Sequence, residues 1–565
     1  RLTDVTGVQT CALPISWDRD GAPTPWSAPA SFEMGPMTPA DWAGAAWIAL
    51  AEDARPPEHR GRDMQTKPMP KPARVDAFPA PRLRREFDLP AAVHRARLYV
   101  SALGLGEVWI NGARVGDGVL DPAQTTYDVR AFFVTHDVTR HLRRGRNAVG
   151  LWLGNGFYGQ NVGFTRGLAW GPPRALARLA IEFADGTTQD IVTDASWQAA
   201  TGAVLFDNLY AGETFDARLD DPAWSAPGGG EGWPAVRTVP SPAARLQAQT
   251  IPPMRKIRAL KPAKVVPAGD RRWIVDFGQN LAGWVRIVAR EPAGTTVKMR
   301  FAELLSPDGT SLDTASTGVF ATGVEQTDVL ICRDGVTTWE PRFTYHGFRY
   351  CEISGLSAAP TAESIEAWLV RTDVPKAGSF ECSDPLLNRI HATSMWTIED
   401  NLHGTSEDCP HRERCGWLGD AHAVGETAIF NLGMGPFWTK FIDDVETVHG
   451  RGGVTYTKRP AQPGIPCNIA VGRRLCQEAR PDWGAACTLL PWYLYVYYGD
   501  LDVARRHYPH MVRWVDYVAA LTTNGIVSAG YGDWCPPGGN AALDCPFELT
   551  STAFHYASLR QVEAF

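Results

Sequence analysis

No run of apolar residues in the sequence approaches the ~18 needed to cross a bilayer as a helix, which excludes a helical membrane span for these 565 residues. A basic block is missing too. With 55 Lys and Arg against 62 Asp and Glu the formal net charge is −7, so nothing here would track a phosphate backbone, and nucleic acid is not expected as a partner. Between Cys11 and Cys332 there is no cysteine, and no C-x-x-C pair occurs anywhere. The ten cysteines from Cys332 onward follow no framework spacing. That usage predicts reduced thiols in a core large enough to need no staples, and it favours a cytoplasmic location.

What is present is length and aromatics. A chain of 565 residues is too long for one core and predicts three or four domains at ~100–200 residues each. Trp occurs 21 times. Flat indole faces are what sugar rings stack on, and large β-sandwiches also bury them. The first residues stand apart. Val5 to Ile15 reads as the translation of a common sequencing-library adapter, so residues 1–16 are set aside from fold reasoning and the true N-terminus is expected to be missing. On that reading the lack of a leader says nothing about secretion.

From Trp17 to about Val374 short alternating runs such as Ala96–Ser101 and Val297–Phe301 are separated by the turn pairs Asn111-Gly112, Asp185-Gly186 and Asp308-Gly309. Such punctuation predicts β-sandwiches or jelly rolls. Breaks fall at the Pro/Gly-rich stretch Pro222–Pro242 and at Asp373–Gly378. After Ser379 the period becomes helical. Asp384 followed by Pro385 is a helix start, and apolar runs recur at Phe437–Ile442, Leu489–Tyr495 and Tyr508–Leu521, with a last helix from Leu549. Helices joined by long irregular loops predict a partial α/α toroid with its site on the loops.

One segment concentrates chemistry. Ser406 to Asp420 carries Glu407, Asp408, Glu413 and Asp420, two arginines, His411 and Trp417, interrupted by Pro410, Gly416 and Gly419. This composition makes a charged, aromatic-floored loop. Cleaving a glycosidic bond needs a carboxylic acid that keeps its proton near neutral pH, and clustered carboxylates raise a pKa while Arg412 and Arg414 oppose that rise. The competing reading is a salt-bridged surface loop.

The string Asp408-Cys409-Pro410-x-Arg412-Glu413-x-x-Gly416-Trp417-x-Gly419-Asp420 resembles the signature of the α-L-rhamnosidases of glycoside hydrolase family 78. Ser27–Gly35 resembles the end of that family's fibronectin-like module, and Val108–Gly112 through Leu153–Gly156 its N-terminal jelly roll. Pro481–Gly484 and Tyr531–Trp534 resemble its later aromatic loops. The resemblance implies the end of a β-module over 17–38, a jelly roll over 39–245, a β-sandwich over 246–378 and an incomplete (α/α)6 catalytic domain over 379–565. It also implies an inverting hydrolase of terminal α-L-rhamnosides. Glu413 would be the general acid, with Asp408, Arg412, Trp417, Asp420, Trp483, Asp533 and Trp534 binding the sugar. No cofactor or metal is implied, and the partner would be a rhamnose-containing glycoside or polysaccharide.

An inverting enzyme also needs a base ~6.5–9.5 Å from the acid. The resemblance places that base on a late barrel loop beyond Phe565, so a truncated and inactive chain with exposed apolar helix faces is expected. Glu426, Glu478 and Glu548 are the remaining acidic candidates and are expected to be structural or substrate-contacting. Other readings compete. Zinc on Cys409, His411, Cys415 and His422 fits no ligand spacing, and calcium in the jelly roll lacks an acidic loop. A non-catalytic carbohydrate-binding protein would use the jelly roll near Asn155 or Asp117, and an inverting glycosidase for another sugar would keep the same acid.

Overall fold

The computed structural model describes residues 10–12, 17, 19–26, 30–51, 77–160, 170–242, 244–318, 323–448, 464–472, 479–534, 536 and 545–565. Glu478 and most of the adapter-like peptide lie outside them. Within that peptide, Thr10–Ala12 pairs antiparallel with Ala30–Phe32.

The first β-unit is a sandwich. One sheet runs in the order Arg237–Val239, Trp47–Ala49, Arg174–Phe183, Val93–Leu103, Arg130–Asp137, Arg245–Ala248, with Thr188–Val192 paired to Arg174–Phe183. Gln198–Ala200, Arg82–Leu89, Gly145–Gly154, Leu105–Ile110 and Ala113–Arg114 form the other. Alternation drives the packing: Leu98, Val100, Ala102, Val149, Leu151 and Leu153 point inward into one apolar core. Asn111 and Gly112 both have positive φ, at 52° and 84°, the two-residue hairpin geometry that the Asn-Gly pair predicts.

A ten-stranded sheet follows, built around Arg272–Arg290. The hairpin of Val204–Asn208 and Gly212–Asp216 lies inside the 39–245 stretch, yet it pairs with this second sheet, its later strand parallel to Thr327–Ile331. The sequence turns here without a break signal, because the strands alternate as well in either sheet. Gly283, at φ 153°, sits where a Cβ would lie 1.9 Å from the Trp368 carbonyl oxygen, so the central strand passes its neighbour only without a side chain.

The helical part comprises α1 (Pro385–Glu399), α2 (Leu418–Asn431), α3 (Gly435–Thr447), α4 (Pro481–Gly484), α5 (Ala486–Tyr498), α6 (Leu501–Ala519) and α7 (Phe547–Ala564). The Asp384 carboxylate caps α1 by accepting from the Leu386 N–H at 2.8 Å. Trp438, Phe441, Leu490 and Trp514 centre a core shared by α2, α3, α5 and α6. These are sandwich domains followed by part of a helical hairpin array, as the sequence predicts. None of the helices described is long and apolar enough to cross a membrane.

One cysteine departs from expectation. Cys332, Cys351, Cys382, Cys409, Cys415, Cys487 and Cys545 are free thiols, but Cys467 is disulfide-bonded. A disulfide at Cys467 follows no repeating spacing that could be read, and it removes the cysteine argument for a reducing compartment.

Candidate active site

The loop from Ser406 to Trp417 is held from below by the second β-unit. Arg414, with φ 52°, is fully buried. Its guanidinium lies 4.0 Å from the Tyr345 ring centroid and 4.9 Å from that of Tyr210. It donates to the carbonyls of Pro410 at 2.9 Å, Tyr345 at 2.7 Å and Leu209. Among the described residues no carboxylate pairs with it, and three carbonyl dipoles and two aromatic faces hold the charge. Tyr210 completes the clasp by donating its hydroxyl to the Glu413 carbonyl at 2.6 Å. Beneath, Glu407 accepts from the Tyr345 hydroxyl at 2.6 Å and pairs with His403 at 3.0 Å. Glu407, one of the four clustered carboxylates, is thus a structural anchor.

Above this base the other three carboxylates gather. Glu413 Oε2 accepts from the Trp417 indole N–H at 2.8 Å, and Oε1 lies 3.6 Å from Arg412 Nε. Asp408 and Glu413 each bring a carboxylate oxygen to within 4.8 Å of the other and of Cys415 Sγ. The Asp408 carboxylate accepts from the Cys415 N–H at 2.9 Å and from the Cys409 thiol at 3.0 Å. Burial, reinforced by the Glu413 charge, pushes its carboxyl well above the usual range. Asp420, in the first turn of α2, is pushed up to about 6 by burial with a smaller push from Glu413. The positive end of the helix favours its ionised form, and burial wins.

Gly419 connects this acidic group to the aromatic loops, for a Cβ there would lie 2.5 Å from the Trp483 ring. Trp483 meets Tyr531 edge-on at 4.8 Å, and Trp534 lies 5.3 Å from Tyr531 and 6.4 Å from Trp483. Asp482 fixes the trio's spacing by accepting from the N–H groups of Tyr531 and Gly532, both at 2.7 Å. Trp534 is 55% exposed, as a wall facing an open pocket would be.

The structure therefore brings Asp408, Arg412, Glu413, Trp417 and Asp420 together and sets Trp483 and Trp534 on the adjoining loops. Asp533 stands in that loop, its N–H directed at the Cys545 carbonyl at 3.4 Å. Sequence reading missed Tyr531, though it sits in the quoted loop, and Tyr210 and Arg414 as a clasp. Tyr210 is 203 positions from Glu413, and no local signal links them.

The competing sites fare differently. Among the described residues the one group of three metal-capable side chains is Asp408, Glu413 and Cys415, with no imidazole. His422 is turned to the Asp482 carbonyl at 2.8 Å and His411 to the Ser316 carbonyl at 3.2 Å, so the thiol and imidazole set does not converge. Asn155 is buried, donating to Asp207 at 2.8 Å and to the Phe78 carbonyl at 2.9 Å, and cannot form a lectin surface.

Family models agree with this geometry segment by segment. Residues 91–258 match the alpha-L-rhamnosidase N-terminal domain, 267–371 the bacterial alpha-L-rhamnosidase concanavalin-like domain, and 375–565 the bacterial alpha-L-rhamnosidase 6 hairpin glycosidase domain. The chain belongs to the bacterial α-L-rhamnosidases of glycoside hydrolase family 78. An α-L-rhamnosidase of Formosa agariphila is 40% identical over 567 residues, covering 97% of this chain and 59% of that protein. The solved α-L-rhamnosidase of Dictyoglumus thermophilum superposes with a TM-score of 0.85 at 34% identity, over 97% of this chain and 60% of that one. That of Streptomyces avermitilis, complexed with L-rhamnose, gives 0.78 at 34% identity, over 86% and 46%. The chain thus spans about half to three-fifths of the length of these rhamnosidases.

Proposed function

We propose that this chain carries the acid half of an inverting α-L-rhamnosidase, with Glu413 protonating the departing glycosidic oxygen. The observation that carries this reading is the Glu413 carboxyl itself. The Trp417 indole N–H, 2.8 Å from Oε2, and Arg412, 3.6 Å from Oε1, orient it beside Asp408 on the acid loop. Asp408, whose carboxyl burial and the neighbouring Glu413 push up, lies within 4.8 Å, so the pair shares a site that disfavours two adjacent negative charges. Asp420 and Arg412 supply acceptor and donor for sugar hydroxyls, and the trio Trp483, Tyr531 and Trp534 offers apolar faces for the C5 methyl and ring of rhamnose.

Asp408 lies too near Glu413, within 4.8 Å, to leave room for an attacking water between them. Glu426 accepts from the Tyr497 hydroxyl on the outer side of α2 and α5, and Glu548 lies in the first turn of α7. Neither is assigned as the base. In this reading the base comes from outside these residues, and hydrolysis by water alone is slow in the 565-residue chain. Binding, however, survives. Titration calorimetry with L-rhamnose is expected to show an interaction that Trp483→Ala and Asp420→Asn each weaken at least tenfold. Unchanged affinity in both variants would remove the proposed pocket.

A further inference from the structure

A buried ionic joint ties the first β-unit to the helical part. Arg130, at the start of the strand Arg130–Asp137, is buried, and so are Lys440 and Asp444 on α3. The Arg130 guanidinium pairs with Asp444, lies 3.2 Å from Asp443 and donates to the Lys440 carbonyl at 3.1 Å. Lys440 Nζ lies 2.6 Å from Asp444 and donates to the Gly404 carbonyl at 2.6 Å. Gly404 stands just before the acid loop. We propose that Arg130 is a positioning residue for Glu413, acting from the first β-unit through α3. The inference rests on the assignment of Glu413 as the acid.

Neutralising the two carboxylates does not require Arg130. Asp443 also lies 2.8 Å from Arg506 and 2.8 Å from His507, both on α6, and Asp444 has Lys440. Burying a further guanidinium costs desolvation free energy. What the guanidinium adds is direction, because its planar fork engages two carboxylates and a carbonyl within one turn of α3. Such a grip fixes the helix against the first β-unit both in rotation and along its axis, which an apolar contact of equal area would not.

From α3 the path to the acid is short. Lys440 holds the Gly404 carbonyl, and the Gly404 N–H donates to Thr372 Oγ1 at 2.9 Å. A Cβ on Gly416 would lie 3.0 Å from Thr405 Oγ1 and 3.2 Å from the Phe441 ring, so the chain neighbours of Gly404 and Lys440 pack directly against Gly416. Next comes Trp417, whose indole donates to Glu413. A second contact from the first β-unit converges on the same place. Thr126 Oγ1 lies 2.7 Å from Thr447 Oγ1 on α3 and accepts from the Gly472 N–H at 3.2 Å. The neighbouring strand Ile469–Ala470 pairs antiparallel with Gly416–Trp417. The first β-unit thus grips both supports of Trp417, the helix beneath it and the strand beside it.

The test compares the 565-residue chain with Arg130→Met and, should that variant fail to fold, with Thr126→Val read by the same criteria. Backbone hydrogen exchange over residues 403–417 is expected to quicken about tenfold or more, while the strands of the first β-unit keep the parent's rates. Phenol release from phenyl α-L-rhamnoside, with azide as the nucleophile in place of water, is expected to fall about tenfold or more in kcat. L-rhamnose affinity should stay within about threefold, because the loss falls on the acid and not on the sugar contacts. The inference is overturned if residues 403–417 exchange as in the parent, if exchange quickens alike along the whole chain, or if release falls only in step with affinity. Should the parent release no phenol, or Glu413→Gln leave release unchanged, the assignment of the acid fails, and the exchange rates alone decide whether Arg130 holds the loop.

Discussion

At the scale of single residues, the site holds its carboxylates at a cost to the fold. The Asp420 carboxyl titrates at about 6 in the folded chain against 3.8 for an unperturbed aspartate, so the folded state holds this proton more tightly than the unfolded one. Its favourable contribution is complete below the unfolded value and is lost as pH rises through about 6. Above that, the ionised and desolvated carboxylate opposes folding by on the order of 3 kcal/mol. Asp420→Asn is therefore expected to raise stability at pH 7 and to flatten the decline between pH 4 and 6, while weakening L-rhamnose binding. Denaturation midpoints measured from pH 4 to 7 check this, and a variant less stable than the parent at pH 7 would refute it. Much of this site is legible in sequence because Asp408 to Asp420 is contiguous. Legible, too, is Trp483, whose loop carries its own aromatic motif.

Elements explain what the sequence does not show. The Arg414 clasp joins the acid loop to Leu209, Tyr210 and Tyr345, which lie in loops beside strands of the second β-unit and dozens to hundreds of positions away. A reader of the sequence sees two arginines that could equally tune Glu413. The structure separates them: Arg412 faces the carboxyl and Arg414 the core. Arg414→Met is expected to leave the carbonyls of Leu209, Pro410 and Tyr345 without their donor, costing on the order of 3 kcal/mol. It should also loosen Glu413, so urea unfolding and rhamnose titration should both shift. A variant unchanged in both would show that the clasp does not position the acid. Gly419 is a second such link. Gly419→Ala would drive a methyl to 2.5 Å from the Trp483 ring, and since that ring cannot move without disturbing Tyr531 and Trp534, a weaker pocket is expected. Helix starts were readable where the rule is local, as at Asp384. The hairpin of Val204–Asp216 shows the limit, since alternation predicts a strand and not which sheet it joins.

For the whole molecule, apolar side chains stand exposed along the helical part. Leu386, Leu387 and Ile390 on α1 are each about half exposed, at 53%, 48% and 52%, and Leu549 and Tyr556 on α7 reach 62% and 66%. Exposed apolar side chains of this kind favour association. The 565-residue chain is expected to self-associate at micromolar concentration, and Leu386→Glu with Leu549→Lys to reduce the effect; light scattering that shows a monodisperse monomer would contradict this. The central claim concerns chemistry, and an external nucleophile tests the acid independently of any base. Azide should attack the anomeric carbon of phenyl α-L-rhamnoside from the face opposite the phenol. Glu413 should give its proton to the departing oxygen, yielding the β-configured rhamnosyl azide. The account predicts azide-dependent phenol release that falls ~10²–10⁴-fold in Glu413→Gln. Release that is absent in a chain that binds L-rhamnose, or that Glu413→Gln leaves unchanged, would contradict it.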